Sequence, residues 1–241
     1  MTLYYMKAID VERYKILSGS ALKLIACVSM LSDHLARWYL TKFSWAQTVW
    51  FTVAGKSLSL VDFMTLFGRF AFPIFAFLLV EGFVNTRNRK RYGLSLLILA
   101  LLSEIPFNLM HGGTLWFPRQ NVMFTLLLGY LAMWSVEFFK SRPVVSMFLL
   151  LLMFLVSRFM LADYQTSGFI FILLMYGLRK ENVIRCVASI VVLPAKAMVF
   201  LSLILTCLYN GKRGFVKTPF LKYCFYAFYP VHMLIIYFMA R

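Results

Sequence analysis

The chain has 241 residues, 62% of them hydrophobic and only 14% charged, with a mean hydropathy of +0.79. A soluble domain of this size needs a far more polar surface, so the composition excludes one. The formal charge of +16 would suit nucleic acid in a soluble protein, but the basic residues sit in short loops between apolar runs, as expected of cytoplasmic loops, and no nucleic-acid partner is expected.

The apolar runs are solid rather than alternating, which selects spanning helices over a closed barrel. Residues 1–20 read as an N-terminal segment lying along the interface, broken by Ser18-Gly19-Ser20, which supplies a helix cap. A first helix covers Ala21 to Leu40, and its Asp33 and His34 do not belong in the apolar core of a cleaved leader. Thr41 to Leu60, with Trp45 and Trp50, reads as an interfacial loop with aromatic anchors. A second helix spans Val61 to Asn85, and Thr86 to Arg91 is the densest basic cluster, placed in the cytoplasm. The third, fourth, fifth and sixth helices cover Tyr92 to Met110, Asn121 to Phe139, Val144 to Leu161 and Ser167 to Leu178. Segment 182–209 reads either as one long helix or as two short ones meeting near Pro194-Ala195-Lys196. Two short helices return the basic loop Asn210 to Lys222 to the cytoplasm and preserve the alternation of loops, so that reading is adopted. A last helix covers Tyr223 to Ala240. The expectation is one all-α domain over 1–241, a polytopic integral membrane bundle of about 9 spanning or partly spanning helices. In the plasma membrane its N-terminus is expected on the cytoplasmic side and its C-terminus on the outer side.

Ionisable groups within a bilayer cost at least a few kcal/mol each, so each one calls for a reason. With this topology Asp33 and His34, Arg69, and Glu104 with Asn108 share the outer half of the membrane, and Asn121 opens the fourth helix at the same level. Pro106 between Glu104 and Asn108 frees a carbonyl and kinks the helix. Such a cluster suits proton transfer, with a histidine as base and a carboxylate to orient it; the simpler alternative is an Asp33–Arg69 ion pair that fixes helix packing. Glu81 reads as a helix-end residue, Asp163 as a turn or cap residue, His111 as a solvated residue of a Gly-rich loop, and His232 as a packed histidine. In Asn210-Gly211-Lys212-Arg213-Gly214 the glycines permit close backbone approach and the cations suit phosphate, although an ordinary positive loop reads the same way. Cys27, Cys186, Cys207 and Cys224 form no CxxC pair and read as packing residues, with neither metal nor disulfide expected.

The ordered stretches Ala21-Leu22-Lys23 through Asp33-His34, Arg69-Phe70-Ala71-Phe72-Pro73, Glu81-Gly82, Ser103-Glu104-Ile105-Pro106-Phe107-Asn108, Asn121, Tyr209 to Gly214 and Phe228-Tyr229-Pro230-Val231-His232 resemble the TraX family of membrane acetylases. That family is similar in turn to the acyltransferase three superfamily, whose first helix also ends in a histidine. The resemblance implies transfer of an acetyl group from cytoplasmic acetyl-CoA to a hydroxyl or amine near the outer face. The acceptor would be a surface polymer, a lipid-linked glycan or a pilin-like protein. It implies His34 as base, Asp33 beside it, Arg69 binding phosphate or stabilising charge, and, through a helix only loosely matched in the superfamily, His232; Glu104 joins the catalytic set from its place in the polar cluster. Lys212, Arg213 and Asn210, with the Arg87 to Arg91 run, would hold the donor's phosphates, and Asn108 and Asn121 would meet its far end. Direct transfer and an acetyl-histidine intermediate both remain open, and the competing readings are a small-solute transporter or a scaffold for a surface-assembly machine.

Overall fold

The computed structural model describes residues 14–53 and 55–241. The expected interfacial segment 1–20 therefore lies largely outside the described residues. The chain is mostly helical, with α1 (Gly19–Trp38), a single-turn α2 (Ser44–Gln47), α3 (Leu60–Gly68), α4 (Ala71–Asn85), α5 (Arg89–Gly112) and α6 (Val122–Phe138). It continues with α7 (Pro143–Phe159), α8 (Gln165–Gly177), α9 (Asn182–Val192), α10 (Lys196–Cys207) and α11 (Pro219–Met239). Among the described residues, two stretches are long and apolar enough to cross a membrane, Leu60–Asn85 and Arg89–Gly112, and four shorter helices are strongly apolar. The apolar helices and the inverted polarity of the chain together point to a membrane protein. Helix α7 buries only Ser146 and Ser157, while Met147, Phe148, Leu151, Leu155 and Phe159 are exposed. Lipid, not water, suits such a face.

Three expectations are corrected. The 41–60 loop contains a two-stranded antiparallel sheet, β1 (Val49–Val53) on β2 (Lys56–Ser59), so the chain is not strictly all-α. The second predicted helix is two, because it opens at Arg69-Phe70: the amides of these residues bond back only to Leu66 and Phe67. Pro73 has no N–H to return to the Arg69 carbonyl, and its ring crowds that oxygen, so the two turns cannot run on continuously. Helix α5 is longer than predicted at both ends. Asn88 caps it by accepting the Arg91 amide, and Gly113 closes it at φ 67°. It thereby takes in part of the basic cluster and also His111, and it continues through Pro106. Segment 182–209 is two helices, separated at 193–195 with Ala195 at φ 58°.

Helix α1 packs on α3, α4 and α11, and α5 packs on α6 and α11. The α1–α3 contact is close because Gly68 has no side chain. A Cβ there would come within 2.9 Å of Asp33 Cγ. Ser29 Oγ donates to the Phe67 carbonyl at 2.8 Å and Ser32 Oγ to that of Met64 at 3.1 Å, which fixes the register of the two helices. At its N-terminus α1 is capped twice. The Ser18 hydroxyl accepts the Ala21 amide, while Gly19 and Ser20 donate their amides to the Lys212 and Arg213 carbonyls at 2.9 Å. The 208–214 loop thus satisfies N–H groups a helix start normally leaves open. Gly214 makes the contact possible, with φ at 86° and a would-be Cβ only 2.7 Å from Ser18 Cβ.

Candidate functional site

Lys23, Cys27, Met30 and His34 recur at helical spacing and form one stripe along α1. That stripe lines a cavity of about 1010 Å³. At the stripe's Lys23 end the walls carry Arg87, Arg91, Arg213, Lys217 and Lys222. At its other end they carry Asp33, His34, His111, Asp163 and Tyr164. Between them lie apolar walls, including Phe75, Leu99, Met123 and Leu126. With a rise of 1.5 Å per residue, Lys23 and His34 stand roughly 17 Å apart along the helix.

His34 Nδ1 and His232 Nε2 lie 2.7 Å apart, with the ring planes within 7° of parallel. His232 Nδ1 lies 2.6 Å from the Phe228 carbonyl. A carbonyl only accepts, so His232 Nδ1 carries its proton. In the neutral ring His232 Nε2 is then an acceptor, and the short contact requires His34 Nδ1–H to donate to it. One tautomer of each ring is assigned by this elimination. It leaves His34 Nε2 with a free lone pair, on a side chain that lines the cavity, while His232 stands behind it and does not. Chemically, such a dyad can act as a base, with the second imidazole orienting it and accepting a hydrogen bond from the cation that forms.

Asp33 lines the cavity over Gly68, and its Oδ1 accepts from Arg37 Nε at 2.9 Å, a pair one helical turn apart. Arg69, at the α3–α4 break, is near enough to interact electrostatically with Asp33, Asp163 and Tyr164. The loop between α7 and α8 carries Asp163. The Asp163 amide donates to the Gln120 carbonyl at 3.0 Å, and its own carbonyl accepts the Thr125 hydroxyl. Leu161 and Tyr164 hold positive φ there, a conformation bulky residues rarely adopt. Burial pushes the Asp163 carboxyl above its ordinary range, against the pull of the Tyr164 amide, Arg37, Arg69 and Arg119.

Glu104, Asn108 and Asn121, expected in the same cluster, do not line the cavity. Asn121 Nδ2 donates to Glu104 Oε2 at 2.6 Å and to the Ala100 carbonyl at 2.9 Å, and its Oδ1 accepts the Met123 amide. The pair ties α5 to the capped start of α6. Asn108 Nδ2 donates to the Leu115 carbonyl at 3.0 Å, which holds the loop after α5. In the 210–214 loop only Gly211 and Arg213 line the cavity. Asn210 Oδ1 accepts the Lys212 amide, and Lys212 gives its carbonyl to the start of α1.

Sequence reasoning passed over Arg37, although a basic residue four positions after an intramembrane acid is a legible signal. It also placed His111 in solvent. The ring instead stacks on Phe107 with centroids 4.0 Å apart and meets Trp38 edge-on at 4.7 Å.

A family model described as TraX protein matches residues 18–240. A probable fimbrial assembly protein of Dichelobacter nodosus, FimC of serogroup H1, is 26% identical over 245 residues, covering 91% of this chain and 94% of its own length. No solved structure matches.

Proposed function

Because the chain belongs to the TraX family, we propose that it is a membrane-embedded acetyltransferase that takes its acetyl group from acetyl-CoA. The observation that carries the reading is a histidine with one free nitrogen, His34, set in a cavity whose other end is lined with cations. A phosphopantetheine arm of thirteen bonds reaches roughly 15 Å when extended at about 3.5 Å per three bonds. That length matches the rise from Lys23 to His34, so phosphates at the basic end bring the thioester to the dyad. Arg213, Lys217, Lys222 and Lys23 supply the charge for the phosphates.

In the transfer His34 Nε2 removes the proton of an acceptor hydroxyl or amine as the acceptor attacks the thioester carbonyl. The developing imidazolium keeps its Nδ1–H bonded to His232, and the guanidinium charges of Arg37 and Arg69, which stand behind the cavity wall within electrostatic reach of Asp33, offset at a distance the negative charge of the tetrahedral oxyanion. The carbon–sulfur bond then breaks, and His34 Nε2–H returns its proton to the leaving thiolate. Donor and acceptor meet from opposite ends of one cavity. In this arrangement the basic loops face the cytoplasm, the N-terminus is inside, the C-terminus is outside, and about nine helices span or partly span the plasma membrane. The fimbrial-assembly name of the relative points to an acceptor at the cell surface, a pilin-like protein or a surface glycan. The test is thioester cleavage and label transfer from radiolabelled acetyl-CoA by the full chain in proteoliposomes. His34→Ala is expected to lose 10² to 10⁴ in rate, the usual contribution of a positioned base. A variant that inserts normally and retains wild-type turnover would remove His34 from the chemistry.

A further inference from the structure

The second histidine of the cavity is unclaimed by the dyad. His111 Nδ1 lies 3.0 Å from the Phe107 carbonyl, so by the same elimination Nδ1 carries the proton and Nε2 is left a free acceptor. The ring is clamped on three sides, stacked on Phe107, edge-on to Trp38, and 5.8 Å from Phe117. A side chain so held has already lost its rotamer freedom, and binding need not freeze it again. Its place in the fold follows from Trp38, which sits one turn beyond His34 on α1, about 6 Å farther from the basic end. His111 therefore stands past the dyad, in the part of the cavity the donor does not require.

We propose that His111 is the residue that positions the acceptor, its Nε2 taking a hydrogen bond from an O–H or N–H of the incoming molecule so that the neighbouring nucleophile reaches His34. This inference rests on the acyl-transfer reading. Glucosamine, which offers hydroxyls and an amine together, is the probe acceptor, and the full chain in proteoliposomes is the enzyme. His111→Phe keeps an aromatic ring in the clamp and removes the acceptor nitrogen. It is expected to raise the KM for glucosamine at least tenfold, and at least fivefold more than it raises the KM for acetyl-CoA. His111→Gln, which restores an acceptor oxygen, is expected to recover part of the loss. Equal effects on both KM values, or none on glucosamine, overturn the assignment. Thioester cleavage by the wild type without transfer to glucosamine also overturns it and leaves the acyl-transfer reading standing; no cleavage at all removes both. Diethyl pyrocarbonate, which acylates an imidazole nitrogen with a free lone pair, supplies a readout independent of turnover. Mass spectrometry is expected to find His34 and His111 modified and His232 spared, and an unmodified His111 overturns the proposal.

Discussion

Removing His232 separates its role from that of His34. In His232→Ala the Nδ1–H of His34 loses the acceptor 2.7 Å away. A hydrogen bond is worth about 0.5–1.5 kcal/mol between neutral groups and about 1.5–3 kcal/mol when one is charged. Only the difference, about 1–1.5 kcal/mol, favours the imidazolium of the transition state over the neutral ground state. At 1.36 kcal/mol per decade this alone slows turnover roughly five- to thirteenfold. Nothing then selects the tautomer with its lone pair on Nε2, and nothing fixes the ring plane, so a total loss of roughly 10- to 100-fold in kcat is expected. The KM for acetyl-CoA should hold, because His232 lies behind the dyad and not in the cavity wall. His232→Gln, with an amide oxygen near the same place, should recover part of the rate. The assay is single-turnover acetyl transfer in proteoliposomes, with surface expression and insertion checked for each variant. Turnover within twofold of wild type would refute the relay. A loss equal to that of His34→Ala would also refute it, by making His232 as essential as the base.

Gly68→Ala should drive α1 and α3 apart, since the new methyl falls within 2.9 Å of Asp33 Cγ, where carbon contacts normally sit at about 3.5–4.0 Å. A cost of about 1–3 kcal/mol is expected, read as a lower apparent unfolding midpoint in detergent together with lost transfer, and an unchanged midpoint would contradict the close packing. Neutralising Arg213 and Lys222 together should raise the KM for acetyl-CoA several-fold more than it lowers kcat, whereas neutralising Lys212, which is absent from the cavity wall, should do much less. Equal effects from the two changes would return the whole loop to a role in topology. A cysteine introduced at Lys217 should react with an impermeant thiol reagent only after the membrane is opened, and labelling in intact cells would reverse the proposed orientation.

Most of the helical layout is legible in the apolar runs, because a span needs about twenty apolar residues and its loops need charge. Caps extend what the runs suggest. His111 is followed by two glycines and reads as loop, yet the left-handed turn at Gly113 leaves it in the last turn of α5. The direction in which each site residue points around the bundle was not legible. Glu104 and Asn121 were expected in one cluster with Asp33 and His34, but they bond each other across α5 and α6. Hydropathy and charge fix how far along the membrane normal a residue lies, whereas its azimuth depends on how neighbouring helices pack. The His34–His232 contact joins residues 198 positions apart; no local pattern signals it, and only resemblance drew attention to His232. The β1–β2 hairpin was missed because its aromatic residues serve an interfacial loop equally well.

The two halves of the dyad come from α1 and α11, and the cap of α1 comes from the loop before α11. During synthesis, then, His34 is inserted early without its proton acceptor and α1 without the carbonyls that close its first turn. Both defects are cured at one moment, when residues 208–232 emerge and dock. A ribosome stalled in α10 would leave a chain with most of its helices inserted and no competent base. Two separately made fragments, divided in the loop after α5, would each be inert and could be active only as a pair. On the acetyltransferase reading, competence arrives only once α11 has docked on α1.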